Sequence, residues 1–365
     1  MITSNLLKKV SDNEYYWLLL LTTPNLSFKQ INKIIKHFGT IENIYQQSEQ
    51  VLASIIHPLQ AKFIYNSSSK KKVEEILKWR DSDETHEVIN IFNENFPKEL
   101  YQLYAPPKII FIKGNKNLLN NIKISILGTK NPTQDGKLNC IKFARELATN
   151  NITIVAGLYG EIDKYIHSTV KGQKSSSIAI IGFGIDKINT HKDAIICNQI
   201  LENNGLIISE FNPSTPVILN NIISCFRIIT SLSKASLIIE SLITGNIMSS
   251  AELALDMGKE VMAIPGSINN PLSKGCNKLI KNGAKLVDNI SDILEEINNE
   301  NTNIMYNSNL STENKILSSM SKEPILINEL SQKININLNE FYAEILKLEL
   351  SEKIINIGNG YYKKL

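Results

Sequence analysis

The fold class predicted by this 365-residue chain is α/β, with a doubly wound, mostly parallel sheet. Three observations predict it. Between residues 96 and 297, short β-branched runs alternate with amphipathic stretches long enough to be crossover helices. The runs are apolar almost throughout, as in strands covered on both faces. Nearly all of them end in Gly, Ser or Thr, which marks one edge of the sheet as the place where loops come close to something.

The strands expected are "KISIL" (123–127), "ITIVA" (152–156), "SIAIIG" (177–182), "LIISE" (206–210), "SLIIE" (236–240) and "EVMAIPG" (260–266). Ahead of them, residues 1–95 read as a helical domain. Ser27-x-x-Gln30 before "INKIIKHFG" is a capping-box pattern, and Gly39 stands where a helix C-cap belongs. "IENIYQQSEQVLASI" and "KKKVEEILKWR" continue the 3.6-residue apolar period. Lys70–Lys72 is either a nucleic-acid contact or, as such runs more often are, a solvated helix start. Residues 298–314 have almost no apolar periodicity and read as a linker. From 315 to 365, two helical patterns precede "IINIGNGYYKKL", whose Gly358-Asn359-Gly360 signals a hairpin; helices followed by a hairpin suggest a winged-helix-like domain.

Composition narrows the function. A net charge of +3 is too small for a protein that coats polyanions indiscriminately, so any such site is a local patch. Four scattered cysteines without a C-x-x-C pair, and five histidines without a ligand cluster, speak against zinc and a disulfide framework. The apolar run near the N-terminus is too short for a signal segment or a membrane span, and the cytoplasm is expected.

In an open parallel sheet, ligands bind beyond the carboxyl ends of the strands. The residues there are Gly128-Thr129-Lys130, Gly157 to Gly160, Gly182-Phe183-Gly184, Ser209-Glu210, Glu240-Ser241 and Pro265-Gly266-Ser267. Small residues let backbone N–H groups approach an anion, and a following helix N-terminus adds partial positive charge. Several such loops on one edge predict a phosphate-binding site. The dinucleotide fingerprint, the P-loop and the nucleophile elbow are all missing. Asp163 and His167, spaced i,i+4, are an acid/base pair or the support of a helix start. Glu210 and Glu240 are catalysts or orient loop N–H groups. The edge favours binding over turnover.

The order of these residues resembles the bacterial DNA-processing protein A family, also called Smf. The resemblance rests on "FPKELYQLYAPPKIIFIKGN" (96–115), Glu161-Ile162-Asp163 with His167, "SIAIIGFGID" (177–186), Ser209-Glu210, "RIITSLSKASLIIE" (227–240) and "AIPGSINNPLSKGCNKLIKNGAKLV" (263–287). The N-terminal helices are similar to that family's SAM-like or helix-hairpin-helix domain, and the C-terminal segment to its winged helix. The resemblance implies an extended Rossmann-like homodimer that binds single-stranded DNA along its strand-end loops. It further implies hand-over of the DNA to the strand-exchange recombinase, displacement of single-strand-binding protein, and no catalytic step or cofactor. The DNA-binding candidates are Gly128, Thr129, Lys130, Gly157, Gly182, Gly184, Phe226, Arg227, Gly266, Ser267, Lys274 and Asn277.

The chain departs from the family at positive positions. Gly-Ser-Arg becomes Gly128-Thr129-Lys130, so the planar fork that grips phosphate is lost. Gly-Leu-Ala-Arg-Gly-Ile-Asp becomes Gly157-Leu158-Tyr159-Gly160-Glu161-Ile162-Asp163. In Arg-Asn-Arg-Ile-Ile only Arg227 survives, after Cys225 and Phe226. The family's Ser-Gly-Ser is blurred into Thr244-Gly245-Asn246. Each lost phosphate contact lowers the salt slope on a single strand by about 0.7, which predicts a weaker binder. Phe226 either stacks a base, worth about 1–3 kcal/mol, or is buried.

In the winged-helix-like segment, seven lysines stand against six glutamates, and its longer helix carries Glu340, Glu344, Glu349 and Glu352. Groove phosphates repel such a helix, so this module is read as a protein-interaction or spacing unit. The leading reading is a single-stranded-DNA-binding recombination mediator of natural transformation. The alternatives are a nucleotide-processing, phosphoribohydrolase-like enzyme using Glu210 or Glu240, and a degenerate relative with weakened DNA binding.

Overall fold

The computed structural model describes residues 12–305, apart from 174 and 191, and parts of 316–364. The chain divides into two compact units, Met1–Ile293 and Leu294–Leu365.

Among the described residues, the first unit begins with six helices: α1 (Asp12–Leu21), α2 (Phe28–Phe38), α3 (Ile41–Tyr45), α4 (Glu49–Ala53), α5 (Pro58–Tyr65) and α6 (Lys70–Arg80). Start and stop signals set their ends. Ser27 and Gln30 form the expected capping box on α2, and Gly39 closes it at φ 78°, a left-handed conformation that glycine adopts without strain. Lys70, Lys71 and Lys72 are exposed at the start of α6, a position that fits either of their sequence readings. The apolar stripes, among them Leu18, Ile31, Ile34, Ile44, Ile64 and Ile76, are at most 1% exposed and belong to one core continuous with that of the sheet.

The sheet has nine strands: β1 (His86–Asn90), β2 (Ile109–Gly114), β3 (Lys123–Leu127), β4 (Thr153–Ala156), β5 (Ser177–Ile181), β6 (Leu206–Ser209), β7 (Ala235–Ile238), β8 (Glu260–Ala263) and β9 (Lys285–Leu286). The order is β1-β2-β6-β5-β4-β3-β7-β8-β9. Pairing is parallel from β6 to β9, while β1–β2 and β2–β6 are antiparallel. All six expected strands are present, five within a residue or two of their expected bounds and the last, expected over 260–266, ending three residues earlier at Ala263. The stretch 1–95, expected to be helical, is corrected at its end: His86–Asn90 pairs with β2 as the outermost strand.

Helices α7 (Gln134–Thr149), α8 (Glu161–Thr169) and α9 (Ala194–Glu202) pack on one another, as do α10 (Leu219–Leu232) and α11 (Asn246–Asp256). Every residue of β3 to β7 is buried, which is why those runs need apolar side chains on both faces. Burying each of their Ile, Leu and Val side chains is worth about 1.5–3 kcal/mol. The last turn of α10 hands its carbonyls to a lysine: Lys259 Nζ donates to Thr230, Ser231 and Ser233. Burial pushes that ammonium down to about 8. After β8 follow α12 (Lys274–Lys281), then β9, then α13 (Ile290–Met305). Helix α13 thus occupies the first part of the stretch expected to be a linker, and residues 306–314 lie outside the described residues.

In the second unit β10 (Ile325–Leu326), β12 (Tyr361–Lys364) and β11 (Ile354–Gly358) form a three-stranded antiparallel sheet in that order. Helix α14 (Ile327–Lys333) follows β10, and Ile316, Leu330, Phe341, Ile345, Leu348 and Ile354 make its core. The expected hairpin strands pair, with Asn359 and Gly360 outside the described residues; Glu340, Glu344 and Glu352 also lie outside them.

Candidate functional site

The parallel part of the sheet reverses its winding between β3 and β7, so the carboxyl ends of those two strands form the switch-point crevice where ligands of such sheets bind. The loop after β3 carries Gly128, Thr129 and Lys130. Thr129 N–H donates to the Glu240 carbonyl at 3.0 Å, and the Lys130 carbonyl accepts from Glu161 N–H at 3.0 Å. These bonds leave the Lys130 side chain exposed at the edge, its Nζ 5.1 Å from the centre of the Tyr159 ring.

Two carboxylates order these loops. Glu240, 5% exposed, accepts from Thr133 N–H at 2.9 Å and from the Thr133 hydroxyl. Thr133 is the N-cap of α7 and in turn accepts from Gly136 N–H at 3.0 Å. A carboxylate of the protein itself therefore occupies the helix end where an anion would bind. Asp163 does the same for the next loop: Tyr159 and Gly160 N–H donate to it at 2.8 Å each. Burial pushes its carboxyl above the usual range, opposed by hydrogen bonds from Gly160, Tyr159 and Gly157.

His167 is fully buried behind that loop. Its Nε2 lies 2.8 Å from the Gly157 carbonyl and its Nδ1 2.8 Å from Ser177 Oγ. A carbonyl only accepts, so Nε2 carries the hydrogen and Nδ1 accepts from Ser177. Burial lowers its pKa to about 4, so the ring is neutral and structural. Of the two sequence readings of Asp163 and His167, the geometry fits support of the loop.

The remaining candidates lie as follows. Gly182 and Gly184 are buried. A Cβ on Gly182 would stand 2.7 Å from Ile222 N, and one on Gly184 2.7 Å from Ser214 N and Thr215 N. Both glycines thus admit neighbouring backbone, and Gly184 N–H donates to the Thr215 carbonyl at 2.9 Å. Gly266 and Ser267 are exposed. The Asn277 amide clamps Gly266, accepting its N–H at 3.2 Å and donating to its carbonyl at 2.9 Å. Lys274 is exposed as the first residue of α12. Gly266 and Ser267 line a cleft of about 410 Å³ with Thr133, Asp135, Glu240 and Ser273. Arg227 pairs with Glu210, which also accepts from Ser224 Oγ at 3.1 Å, while Arg227 Nη1 has no hydrogen-bond partner among the described residues. Burial pushes the Glu210 carboxyl up, with Arg227 opposing. Phe226 is half-buried and, with Leu158, Tyr159, Phe183, Val217 and Ile222, lines a small cavity of about 80 Å³.

The cradle of free amides expected from the small residues is therefore largely used up, since Thr129, Gly157, Gly184 and Gly266 all donate their N–H groups within the protein. What the edge offers an anion is side-chain charge. Sequence reasoning missed Tyr159 and Lys192, which line the same cavity. The signal for Tyr159 was its place in Gly157-Leu158-Tyr159-Gly160, where an aromatic replaces a small residue. Among the described residues, no cluster of His, Cys, Asp and Glu is arranged to hold a metal ion, and no helix is long and apolar enough to cross a membrane.

An extended, mostly parallel sheet whose strand-end loops are pinned by internal carboxylates defines a Rossmann-like α/β protein with an open ligand edge. The family model described as DNA recombination-mediator protein A matches residues 87–298, and the chain belongs to that family. It is similar to Protein Smf of Escherichia coli, 28% identical over 308 residues, 81% of this chain and 82% of that protein. It is also similar to DNA processing protein DprA of Streptococcus pneumoniae, 31% identical over 57% of this chain and 73% of that protein. Among solved structures, DNA processing protein A from Streptococcus pneumoniae aligns with a TM-score of 0.66 at 27% identity, over 77% of this chain and 97% of that one. DNA processing protein A from Helicobacter pylori, a protein described by its single-stranded DNA binding mode, aligns at 0.53 and 28% identity over 59% and 96%.

Proposed function

We propose that the chain is a single-stranded-DNA-binding recombination mediator of natural transformation, without a catalytic step, that acts as a homodimer and passes DNA to a strand-exchange recombinase. One observation carries the reading. Asp163, Glu210 and Glu240, the buried and half-buried carboxylates at the edge, are each engaged in holding backbone or Arg227, while Lys130 stands exposed beside an aromatic ring. Such an edge binds and does not turn over. Lys130, Lys274 and, on leaving Glu210, Arg227 would meet phosphates; Tyr159 and Phe226 would meet bases.

A second reading, a nucleotide-processing enzyme, draws on the 410 Å³ cleft, which has the volume of a small-ligand pocket. Its one buried carboxylate, Glu240, is tied to Thr133, which favours the first reading. The commitment of Arg227 to Glu210 supports a binder weaker than relatives that keep the lost arginines.

The test is fluorescence anisotropy of a labelled oligo-dT across a salt series. Binding should weaken with salt, Lys130→Ala should lower the slope by about 0.7, and Arg227→Ala should cost less because its partner is Glu210. No binding at low salt would overturn the reading and send the work to nucleotide hydrolysis assays.

A further inference from the structure

A second lysine–tyrosine pair lies behind the first. Helices α7 and α8 pack side by side, and Lys137 Nζ sits 4.7 Å from the centre of the Tyr165 ring across their seam. Lys137 is three residues into α7 and Tyr165 four residues into α8. At 1.5 Å per residue both stand about one helical turn back from the strand-end edge, where Lys130 lies over Tyr159. Both tyrosines are half-exposed, and so is Lys137.

We propose that Lys137 and Tyr165 form a further nucleotide subsite, which carries single-stranded DNA from the strand-end edge onto the α7–α8 seam. The proposal rests on the DNA-binding reading above. Stacking on an aromatic ring accepts any base, because every base has a π-face, and an adjacent ammonium meets the phosphate that joins one base to the next. The two rings stand on different elements, Tyr159 in the loop before α8 and Tyr165 on α8 itself, so each takes its own base. A lysine lying over an exposed ring is easily exchanged: base stacking is worth more than an exposed cation–π contact. The arriving base displaces the ammonium, which then turns to the phosphate.

Neighbouring charges limit the subsite to about one nucleotide. Glu161 is exposed on the first turn of α8 and accepts from the Tyr165 hydroxyl at 3.3 Å, so phosphates are repelled from that flank. Asp135, two residues before Lys137, lines the switch-point cleft instead. Lys164, the other cation on this turn, is held by Asp193 at 2.8 Å.

The test uses the full chain, oligo-dT of graded length, and the variants Lys137→Ala, Tyr165→Leu and Tyr165→Phe, with 5-iododeoxyuridine photocross-linking of the wild type. Lys137→Ala and Tyr165→Leu should each weaken the longer oligonucleotides about 5-fold and leave the shortest unchanged; Tyr165→Phe, which keeps the ring, should bind within about twofold of wild type. The cross-link should map to the peptide holding Tyr165. If Lys130→Ala weakens binding while the seam variants bind every length as wild type and no cross-link falls on Tyr165, the subsite is refuted and the DNA-binding reading stands. If the wild type binds no oligonucleotide, both fall. Should Tyr165→Leu fail to fold, Lys137→Ala and the cross-link still decide.

Discussion

His167 offers the sharpest prediction because its burial is complete and its partners are known. Its pKa falls from an ordinary 6.5 to about 4 in the folded chain. The native ring stays neutral where the unfolded chain takes up a proton, so the stability tied to His167 is complete above about pH 6.5. That stability is lost as pH falls toward about 4, and below that the loss is flat. At 1.36 kcal/mol per pH unit the full loss is about 3.4 kcal/mol, of which about 2.5 is expressed at pH 4.5. In His167→Gln the amide nitrogen keeps a donor toward the Gly157 carbonyl and removes the titration. The variant should be less stable at pH 7, through lost packing and the Ser177 bond. The wild type should then lose about 2.5 kcal/mol more than the variant on acidification to pH 4.5. Urea unfolding followed by the fluorescence of Trp17 and Trp79, both in the same compact unit as His167, measures this. A gap between the two proteins that is the same at pH 7 and pH 4.5 would falsify the neutral, buried imidazole and its role in holding Gly157.

Glu240→Ala removes two bonds from Thr133 to a charged acceptor, each worth about 1.5–3 kcal/mol; water entering from the adjacent cleft offsets part, and a loss of about 2–3 kcal/mol in the urea extrapolation is expected. Gly182→Ala places a methyl 2.7 Å from the backbone nitrogen of Ile222, which cannot swing away as a side-chain tip can. It should cost about 1–3 kcal/mol, and an unchanged denaturation midpoint would contradict the close contact. Glu161→Gln removes an exposed negative charge beside the proposed DNA path. Oligo-dT affinity should rise about 2- to 5-fold at low salt and converge with wild type as salt screens the charge, read by anisotropy.

The strands of the parallel core were legible because their demand is local: a strand covered on both faces must be largely apolar at successive positions, and β3 to β8 are, apart from Lys123, Glu260 and a few Ser and Thr. The ends of α2 were legible for the same reason, since a capping box spans only residues 27 to 30. Strand β1 was not legible. "HEVIN" is only partly buried and lies on the sheet's outer edge, so it lacks the apolar run that marks the other strands. The strand-end residues were found as a group, but their roles were not. Small residues after a strand admit either a ligand or the protein's own backbone, and at Gly182 and Gly184 it is backbone.

Taken by itself, the sequence determined the α/β class, the edge at which small residues gather, and the family, because periodicity and motif order are properties of neighbouring residues. Only the tertiary structure decided who holds whom. Thr133 and Glu240 are 107 positions apart, Glu210 and Arg227 are 17 apart, and Tyr159 meets Lys130 from the next strand. Crossover connections bring such residues together, and a local pattern carries no record of the partner a charged side chain will meet after the chain has wound through the sheet.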